Sequence, residues 1–198
     1  FRGDDVETAI DAVEARYRSR GMPARFQVGH NFAAPDDLDR RLIARGYRAY
    51  DEVTTLTKPV TALQIPAGVV VEDAPSAGWM EVYLSNITPD RRPPAPGILA
   101  RVPGPRVFLS CVRDGQCLAT ALAVITDAVV VAECVGTLTS ARRSGAGSAV
   151  MRGLEAWAHP NGATTSALQV VAANVAGQGL YRSLGYAEIN RYHYRIKE

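Results

Sequence analysis

The sequence contains little lysine and no long apolar run. Of its 22 basic residues only Lys58 and Lys197 are lysines, and the other 20 are arginines. Together with abundant alanine, this bias is typical of a GC-rich coding sequence. The formal net charge of +2 gives no electrostatic reason to expect a nucleic acid or an acidic membrane as a partner. Since no run of about 18 apolar residues occurs, no transmembrane helix is predicted.

Cysteine and histidine are also sparse, with three of each. An odd number of cysteines without a CxxC pair argues against a disulfide framework and predicts reduced thiols in a cytoplasmic protein. The histidines are too widely spaced to form a cluster of metal ligands, so no metal is expected. These residues are Cys111, Cys117 and Cys134, and His30, His159 and His193.

The remaining composition is that of a soluble globular protein. Hydrophobic residues make up 47% of the chain and charged residues 21%, which excludes disorder as a global description. The 198 residues fit one ordinary domain or two small ones. Because residue 1 is Phe1 and not Met, we expect the chain to begin inside a longer polypeptide.

Apolar periodicity, with glycine and proline as breaks, predicts alternating helices and strands. The dipeptide Asp114-Gly115 is a strong hairpin signal, so the middle of the chain is expected to form an antiparallel meander. The predicted helices cover 5–20, 38–45, 77–87, 147–159 and 175–184, with a short one near 98–102, and the predicted strands cover 24–29, 47–56, 69–72, 106–113, 116–126, 128–137, 166–171 and 188–196.

An internal repeat relates the two ends of the chain. Residues 12–47 and residues 153–186 each contain a helix, a glycine, a strand, a second helix and a Gly-Tyr pair. Chance similarity of two αβαβ segments is the alternative explanation. If the repeat is real, residues 1–58 form the back half of an N-terminal unit, 59–68 a linker and 69–198 a complete C-terminal unit.

The most informative stretch is a glycine-rich turn between a strand and an amphipathic helix. It contains the pattern Arg142-x-x-Gly145-x-Gly147. Glycines allow positive φ and close approach of a ligand, and the unpaired N–H groups at a helix N-terminus bind pyrophosphate. Arg142 and Arg143 add charge and forked donors. A purely structural turn is the alternative. The Walker pattern is absent, and the dinucleotide-binding pattern is poor because no second βαβ unit with an acidic residue follows at the right distance.

A second motif, Asn174-(x)6-Tyr181-x-x-x-Gly185-Tyr186, follows the next predicted strand. The two motifs, in this order and at this separation, resemble the GNAT superfamily of acetyl-CoA-dependent N-acetyltransferases over about residues 69–198. The N-terminal part looks like the degenerate first half of a tandem-GNAT subgroup. This resemblance implies an α+β fold, with a mixed, mostly antiparallel central sheet flanked by helices and preceded by a partial αβαβ half.

The resemblance also implies which residues bind acetyl-CoA. Val135, Gly136 and Thr137 would diverge from the next strand and hydrogen-bond the pantetheine arm. The backbone of Thr137 and Leu138 would polarise the thioester carbonyl, and Asn174 would contact the cofactor. The glycine turn would bind the pyrophosphate, largely through backbone N–H groups, with Arg142, Arg143, Ser144, Gly145, Ala146, Gly147 and Ser148.

Two residues are expected to move protons. By the resemblance, Tyr181 would protonate the leaving CoA thiolate, because a phenol is a donor at neutral pH with a pKa close to that of a thiol. Glu133 is the candidate general base, because strand alternation places it on the same face as Val135 and Thr137. An exposed edge position or a structural ion pair are the alternatives for Glu133. Leu42 occupies the repeat position of Tyr181, so the N-terminal half is not expected to bind a second acetyl-CoA.

Other candidate residues have weaker support. Cys134 is expected on the opposite strand face as a packed apolar side chain. His193 is either an acceptor-site residue or a structural histidine. Trp79, Tyr83 and the proline-rich loop 91–105 lie where such enzymes shape the acceptor site, or they belong to helix packing and a mobile lid.

Two functional hypotheses follow. The first is an N-acetyltransferase in which a small-molecule or peptide amine attacks the thioester of acetyl-CoA directly, with no metal. The second is a GNAT-like module that senses acyl-CoA or binds a partner without turnover. The sequence leaves open whether the acceptor is an amino acid, a polyamine, an antibiotic or a protein amine, and it leaves the oligomeric state open.

Overall fold

The computed structural model describes residues 5–197, which form six α-helices and eight β-strands with two short 3-10 turns. The helices are α1 (Val6–Arg18), α2 (Leu38–Ala44), α3 (Ala77–Ser85), α4 (Ala95–Leu99), α5 (Ala146–Ala158) and α6 (Val175–Ser183). The strands are β1 (Ala24–Gly29), β2 (Arg48–Pro59), β3 (Val69–Glu72), β4 (Arg106–Arg113), β5 (Gln116–Thr126), β6 (Val129–Thr137), β7 (Thr165–Val171) and β8 (Ala187–Lys197). The predicted elements are confirmed with small shifts at their ends, although the short helix α4 begins earlier than expected and β2 extends into the predicted linker.

The chain forms two compact units. The first unit contains the residues up to Leu56 together with Gln169–Gly179 and the residues from Glu188 onward. The second unit contains Thr57–Leu168 and Leu180–Ala187. This division assigns the C-terminal segments differently from the predicted boundaries 1–58, 59–68 and 69–198. Those boundaries follow from the internal repeat, and they stay a prediction. Within residues 5–197, no helix has both the length and the apolar character needed to cross a membrane.

The first unit has a symmetric strand order. Its strands follow one another as β1, β8, β2 and the last residues of β7. In the proposed repeat, β1 corresponds to β7 and β2 to β8. When each strand is replaced by its counterpart, the order β1, β8, β2, β7 becomes β7, β2, β8, β1, which is the same order in reverse. This order fits the repeat, while the descent of the N-terminal part from a GNAT half stays a prediction. The core of this unit consists of Ile10, Ala24, Phe26, Val28, Leu38, Leu42 and Tyr47.

The second unit is built on the order β7–β6–β5–β4–β3. All neighbours in it are antiparallel except β6 and β7, which are parallel. Asp114 and Gly115 join β4 to β5 with φ of 51° and 77°, the two positive values that a tight hairpin turn requires. The predicted α+β fold with a mixed, mostly antiparallel sheet and flanking helices is therefore confirmed.

Helices α3 and α5 cover opposite faces of the meander in the second unit. Trp79 of α3 packs edge-to-face against Phe108 with ring centroids 5.1 Å apart. Gly153 of α5 approaches Leu109 so closely that a Cβ on the glycine would lie 3.3 Å from the leucine side chain. Because Phe108 and Leu109 are consecutive in β4, their side chains point to opposite faces.

A buried ion pair fixes the segment after β2 to α5. The Glu155 carboxylate is 2.8 Å from Lys58 Nζ and also accepts hydrogen bonds from the Thr61 amide and hydroxyl. The Glu155 side chain is 6% exposed, so this pair is shielded from water. Thr61 of the predicted linker is thus held to α5 within the second unit.

Candidate active site

Strands β6 and β7 pair over a short distance and then diverge. Among the described residues, their parallel pairing runs from Val129–Thr165 to Val131–Ala167, while β6 continues to Thr137. A β-bulge at Cys134, with φ of +52°, lies just beyond the last of these pairs. Bulges bend a strand and increase its twist. Val135, Gly136 and Thr137 therefore lie on the part of β6 beyond its pairing with β7, and their contact with a pantetheine arm stays a prediction.

The bulge corrects the face that alternation predicted for Glu133. Glu133 pairs with Leu122 of β5, and Gly136 pairs with Thr120, so one extra residue of β6 lies between these pairs. Since Leu122 and Thr120 share a face, Glu133 shares that face with Gly136. The expectation that Glu133 faces the same way as Thr137 is wrong.

Thr137 instead faces α5. A Cβ on Gly147, in the first turn of α5, would lie 3.2 Å from Thr137 Oγ1 and 3.3 Å from the Leu180 side chain. Gly147 is required for this close approach between the end of β6 and the start of α5. The glycine turn and the diverging strand are thus in direct contact within the second unit.

The backbone amide of Leu138 is already used in the sheet. It donates to the Leu118 carbonyl at 2.9 Å. In an antiparallel ladder alternate residues direct their N–H groups to the same neighbour, so the Thr137 amide points to the other edge, on the side where β7 diverges. Of the two backbone groups expected to polarise the thioester, Thr137 can supply an N–H and Leu138 cannot. Any cofactor contact through the rest of Leu138 stays a prediction.

The predicted pyrophosphate turn has the geometry that anion binding needs. Gly145 precedes α5 in the left-handed conformation, with φ of +85°. The next three amides, of Ala146, Gly147 and Ser148, have no acceptor inside the helix, and the helix dipole adds positive potential there. Arg142 and Arg143 are exposed beside this turn.

Two of the predicted cofactor ligands have structural partners. The Ser144 hydroxyl donates to the Ala141 carbonyl at 2.7 Å, and the Ser144 carbonyl accepts from Arg113. Asn174 Oδ1 accepts from the Gly177 amide at 2.9 Å and so caps the start of α6. A cofactor contact by Asn174 would therefore use its side-chain NH2 group.

Tyr181 and Glu133 interact electrostatically. Burial, followed by the negative charge of Glu133, raises the pKa of Tyr181 to about 12, so the phenol stays protonated at neutral pH. The side chain of Glu133 remains exposed, although desolvation by surrounding protein raises the pKa of its carboxyl. A carboxylate with a raised pKa can accept a proton, while a phenol that stays protonated can donate a hydrogen bond.

Tyr83 of α3 and Asn86, the residue that follows α3, contact the end of β6. Burial raises the pKa of Tyr83 to about 12, with further contributions from Cys134, to which it is hydrogen-bonded, and from Glu133. The Asn86 amide packs against Gly136, where a Cβ would lie 3.0 Å from Asn86 Nδ2. Whether Tyr83 shapes an acceptor site or belongs to helix packing stays open. Sequence reasoning missed Asn86, because the predicted helix over 77–87 included it as an ordinary helix position.

Two of the other predicted candidates are packed side chains, and His193 belongs to the first unit. Trp79 is fully buried and donates its indole N–H to the Ala121 carbonyl at 3.2 Å. Cys134 packs against the buried cluster of Trp79, Leu99, Phe108 and Leu122, and burial raises the pKa of its thiol to about 11, so it is a packed neutral side chain. His193 lies in the first unit and contacts Asp39 and His30. Within residues 5–197, no group of three or more His, Cys, Asp or Glu side chains could hold a metal ion.

Comparisons with known proteins agree with this fold. The family described as "Probable histone acetyltransferase Rv0428c C-terminal" matches residues 4–195. The Bacillus subtilis (strain 168) protein described as "Uncharacterized N-acetyltransferase YobR" is 28% identical, over 99% of this chain and 85% of that protein.

Two solved structures superpose on nearly the whole chain. A GCN5-related N-acetyltransferase from Kribbella flavida has a TM-score of 0.71 at 22% identity, covering 96% of this chain and 74% of that one. A tandem GNAT protein from the clavulanic acid biosynthesis pathway has a TM-score of 0.72 at 13% identity, covering 100% of this chain and 72% of that one. The chain therefore belongs to the Rv0428c C-terminal family and has the fold of the GNAT N-acetyltransferases.

Proposed function

We propose that the protein is an acetyl-CoA-dependent N-acetyltransferase that transfers the acetyl group to a primary amine by direct attack. The observation that carries this proposal is the divergence of β6 from β7 directly beside the left-handed Gly145 turn. A diverging strand offers unpaired backbone groups to an extended amide-containing arm, and the turn offers amides to a pyrophosphate. Acetyl-CoA carries both an amide-containing arm and a pyrophosphate. Its reactive thioester lies at the end of the arm, where the amine would attack.

The residues of the chain supply three functions around the thioester. The Thr137 amide would stabilise negative charge on the carbonyl oxygen as the amine attacks. Glu133, with its raised pKa and exposed position, would accept a proton from the ammonium group of the acceptor, directly or through water, so that the neutral amine can attack. Tyr181 would donate a hydrogen bond to the departing thiolate, since its high pKa keeps its proton in place.

We expect the acceptor to be a small molecule or peptide with a primary amine, whose ammonium form the Glu133 carboxylate would attract. A lysine side chain of a basic protein belongs in the acceptor panel, since the family description names a histone acetyltransferase. A cytoplasmic location is part of this proposal and is supported by the three free cysteines.

The proposal is tested in two steps on the same protein. Acetyl-CoA should raise the thermal unfolding midpoint in a concentration-dependent way, because a ligand that binds the folded state stabilises it. Adding a panel of primary amines should then release the CoA thiol, measured with a thiol-reactive dye. Stabilisation without thiol release for any amine would instead support an acyl-CoA-sensing module. The absence of stabilisation would contradict both functions.

A further inference from the structure

The first unit contains a cavity that the proposed acetyl transfer does not use. Its volume is about 470 Å³, and it is open to solvent. The wall combines two apolar side chains with two histidine imidazoles, two aspartate carboxylates and an asparagine amide. The lining consists of Val28, Gly29, His30, Asn31, Ala33, Asp36, Asp39 and His193.

Two histidines of this cavity form a hydrogen-bonded chain that starts at a carboxylate. Asp39 Oδ1 lies 2.8 Å from His193 Nε2, and His193 Nδ1 lies 3.2 Å from His30 Nε2. An ionised carboxylate only accepts, so His193 Nε2 must donate to it. In the neutral ring His193 Nδ1 is then an acceptor, and it receives the Nε2 proton of His30. The remaining Nδ1 of a neutral His30 is left as a hydrogen-bond acceptor.

Asp39 is held in its ionised form. Arg195 donates two hydrogen bonds of 2.8 Å to its two carboxylate oxygens. These bonds, with a smaller contribution from His193, lower the pKa of Asp39 to about 2. Arg195 therefore neutralises Asp39 and also fixes the direction of the hydrogen-bonded chain.

Asp36 contributes the uncompensated charge of the cavity. Its neighbour Asp37 forms ion pairs with Arg40 and Arg41, and Asp39 is paired with Arg195. Within the part of the chain that is described, no ion pair involves Asp36, whose side chain is exposed. With neutral histidines the cavity thus carries one net negative charge, acceptors at Asp36 and His30, the Asn31 amide, which can accept or donate, and a small apolar wall.

From this arrangement we infer that the cavity is a binding site for a small primary ammonium compound with a short apolar stem. The ammonium group would donate to Asp36 and to His30, and the stem would lie against Val28 and Ala33. An ammonium group has three donors and no acceptor, which matches a wall that offers acceptors and negative charge. This inference concerns the first unit alone and does not depend on acetyl transfer.

The test uses the full chain, labelled with 15N-histidine. The probe is n-butylamine. Imidazole 15N signals report tautomer and contacts, and His159, which is not part of the cavity, is an internal control in the same spectrum. We expect saturable shifts at His30 and His193, no shift at His159, and the Nε2–H tautomer at His193 before the amine is added. Uncharged n-butanol and anionic butyrate should leave all three signals in place.

Two variants locate the charge that binds. Asp36→Asn should weaken n-butylamine binding about tenfold or more, because it removes a charge-assisted hydrogen bond. Asp114→Asn, in a turn outside the cavity, and Glu133→Gln, at the candidate acetyl-transfer site, should leave the His30 shift unchanged. Equal binding by the Asp36→Asn variant, equal shifts with n-butanol, or no saturable shift at His30 would overturn the inference. Each of these outcomes is independent of whether thiol is released from acetyl-CoA.

Discussion

Replacing Tyr181 with phenylalanine separates its proposed chemical role from its packing. The ring is 7% exposed and packs edge-to-face on Tyr186 with centroids 5.9 Å apart. Among the described residues, the Tyr181 hydroxyl has no hydrogen-bond partner, so Tyr181→Phe keeps the packing and leaves no group newly unsatisfied. The free energy of unfolding should change by less than about 0.5 kcal/mol.

The size of the catalytic effect follows from the pKa of Tyr181. A thiol has an ordinary pKa near 8.5, so complete proton transfer from a phenol with a pKa of about 12 to a thiolate is unfavourable by roughly 5 kcal/mol. The structure therefore corrects the expectation that the two pKa values are close. A hydrogen bond to the developing thiolate is the contribution left, at about 1.5–3 kcal/mol. Turnover should fall by roughly 10- to 150-fold.

Tyr186 supplies a matched control for this experiment. It is also buried, but its hydroxyl lies 2.6 Å from Ser166 Oγ. Tyr186→Phe removes the same atom and leaves Ser166 unsatisfied, so it should lower the free energy of unfolding by about 1–3 kcal/mol. Turnover of the folded fraction should stay near that of the parent protein.

Steady-state thiol release and chemical denaturation measure both quantities for each variant, and calorimetry measures acetyl-CoA affinity. Unchanged turnover in Tyr181→Phe would remove Tyr181 from the mechanism. A loss above about 1000-fold would refute the hydrogen-bond argument, because an effect of that size requires full proton transfer and a much lower pKa in the complex.

Three further predictions concern the turn, the base and the buried ion pair. Gly145→Ala places a side chain at φ of +85°, and the control Gly115→Ala places one at +77°, so each should lose about 1 kcal/mol of stability. Only Gly145→Ala should weaken acetyl-CoA binding, as measured by calorimetry. Because the folded state raises the pKa of Glu133, ionisation of this carboxyl opposes folding at pH values above that pKa. Glu133→Gln should therefore be more stable than the parent protein at neutral pH, as measured by denaturant titration. The same substitution should abolish the acidic limb of the kcat/KM profile. Lys58→Met leaves the buried Glu155 carboxylate without its cation, which should cost about 3–5 kcal/mol and lower the Tm, while an unchanged Tm would show that this pair adds nothing.

Most element boundaries could be predicted because local features set them. Apolar periodicity marks the buried face of a helix or strand, and glycines such as Gly46 and Gly162 adopt the positive φ that ends an element. The turn at Asp114 and Gly115 is a local signal of the same kind. These features need no knowledge of distant parts of the chain.

The geometry of the candidate site could be predicted less well. The bulge at Cys134 places a non-glycine residue at positive φ, so nothing in its composition marks it, and strict alternation then assigns Glu133 to the wrong face. The pairing of Glu155 with Lys58 joins residues far apart in sequence, and no periodicity of α5 shows it. The engaged amide of Leu138 likewise depends on the register of β5 against β6.

The most direct test of acetyl transfer is mass spectrometry of the amine panel after incubation with acetyl-CoA labelled with 13C in the acetyl group. The account predicts that at least one primary amine gains the labelled acetyl group on nitrogen, and that Tyr181→Phe slows this gain while still binding acetyl-CoA. Binding of acetyl-CoA with no labelled amine product across the panel would contradict it.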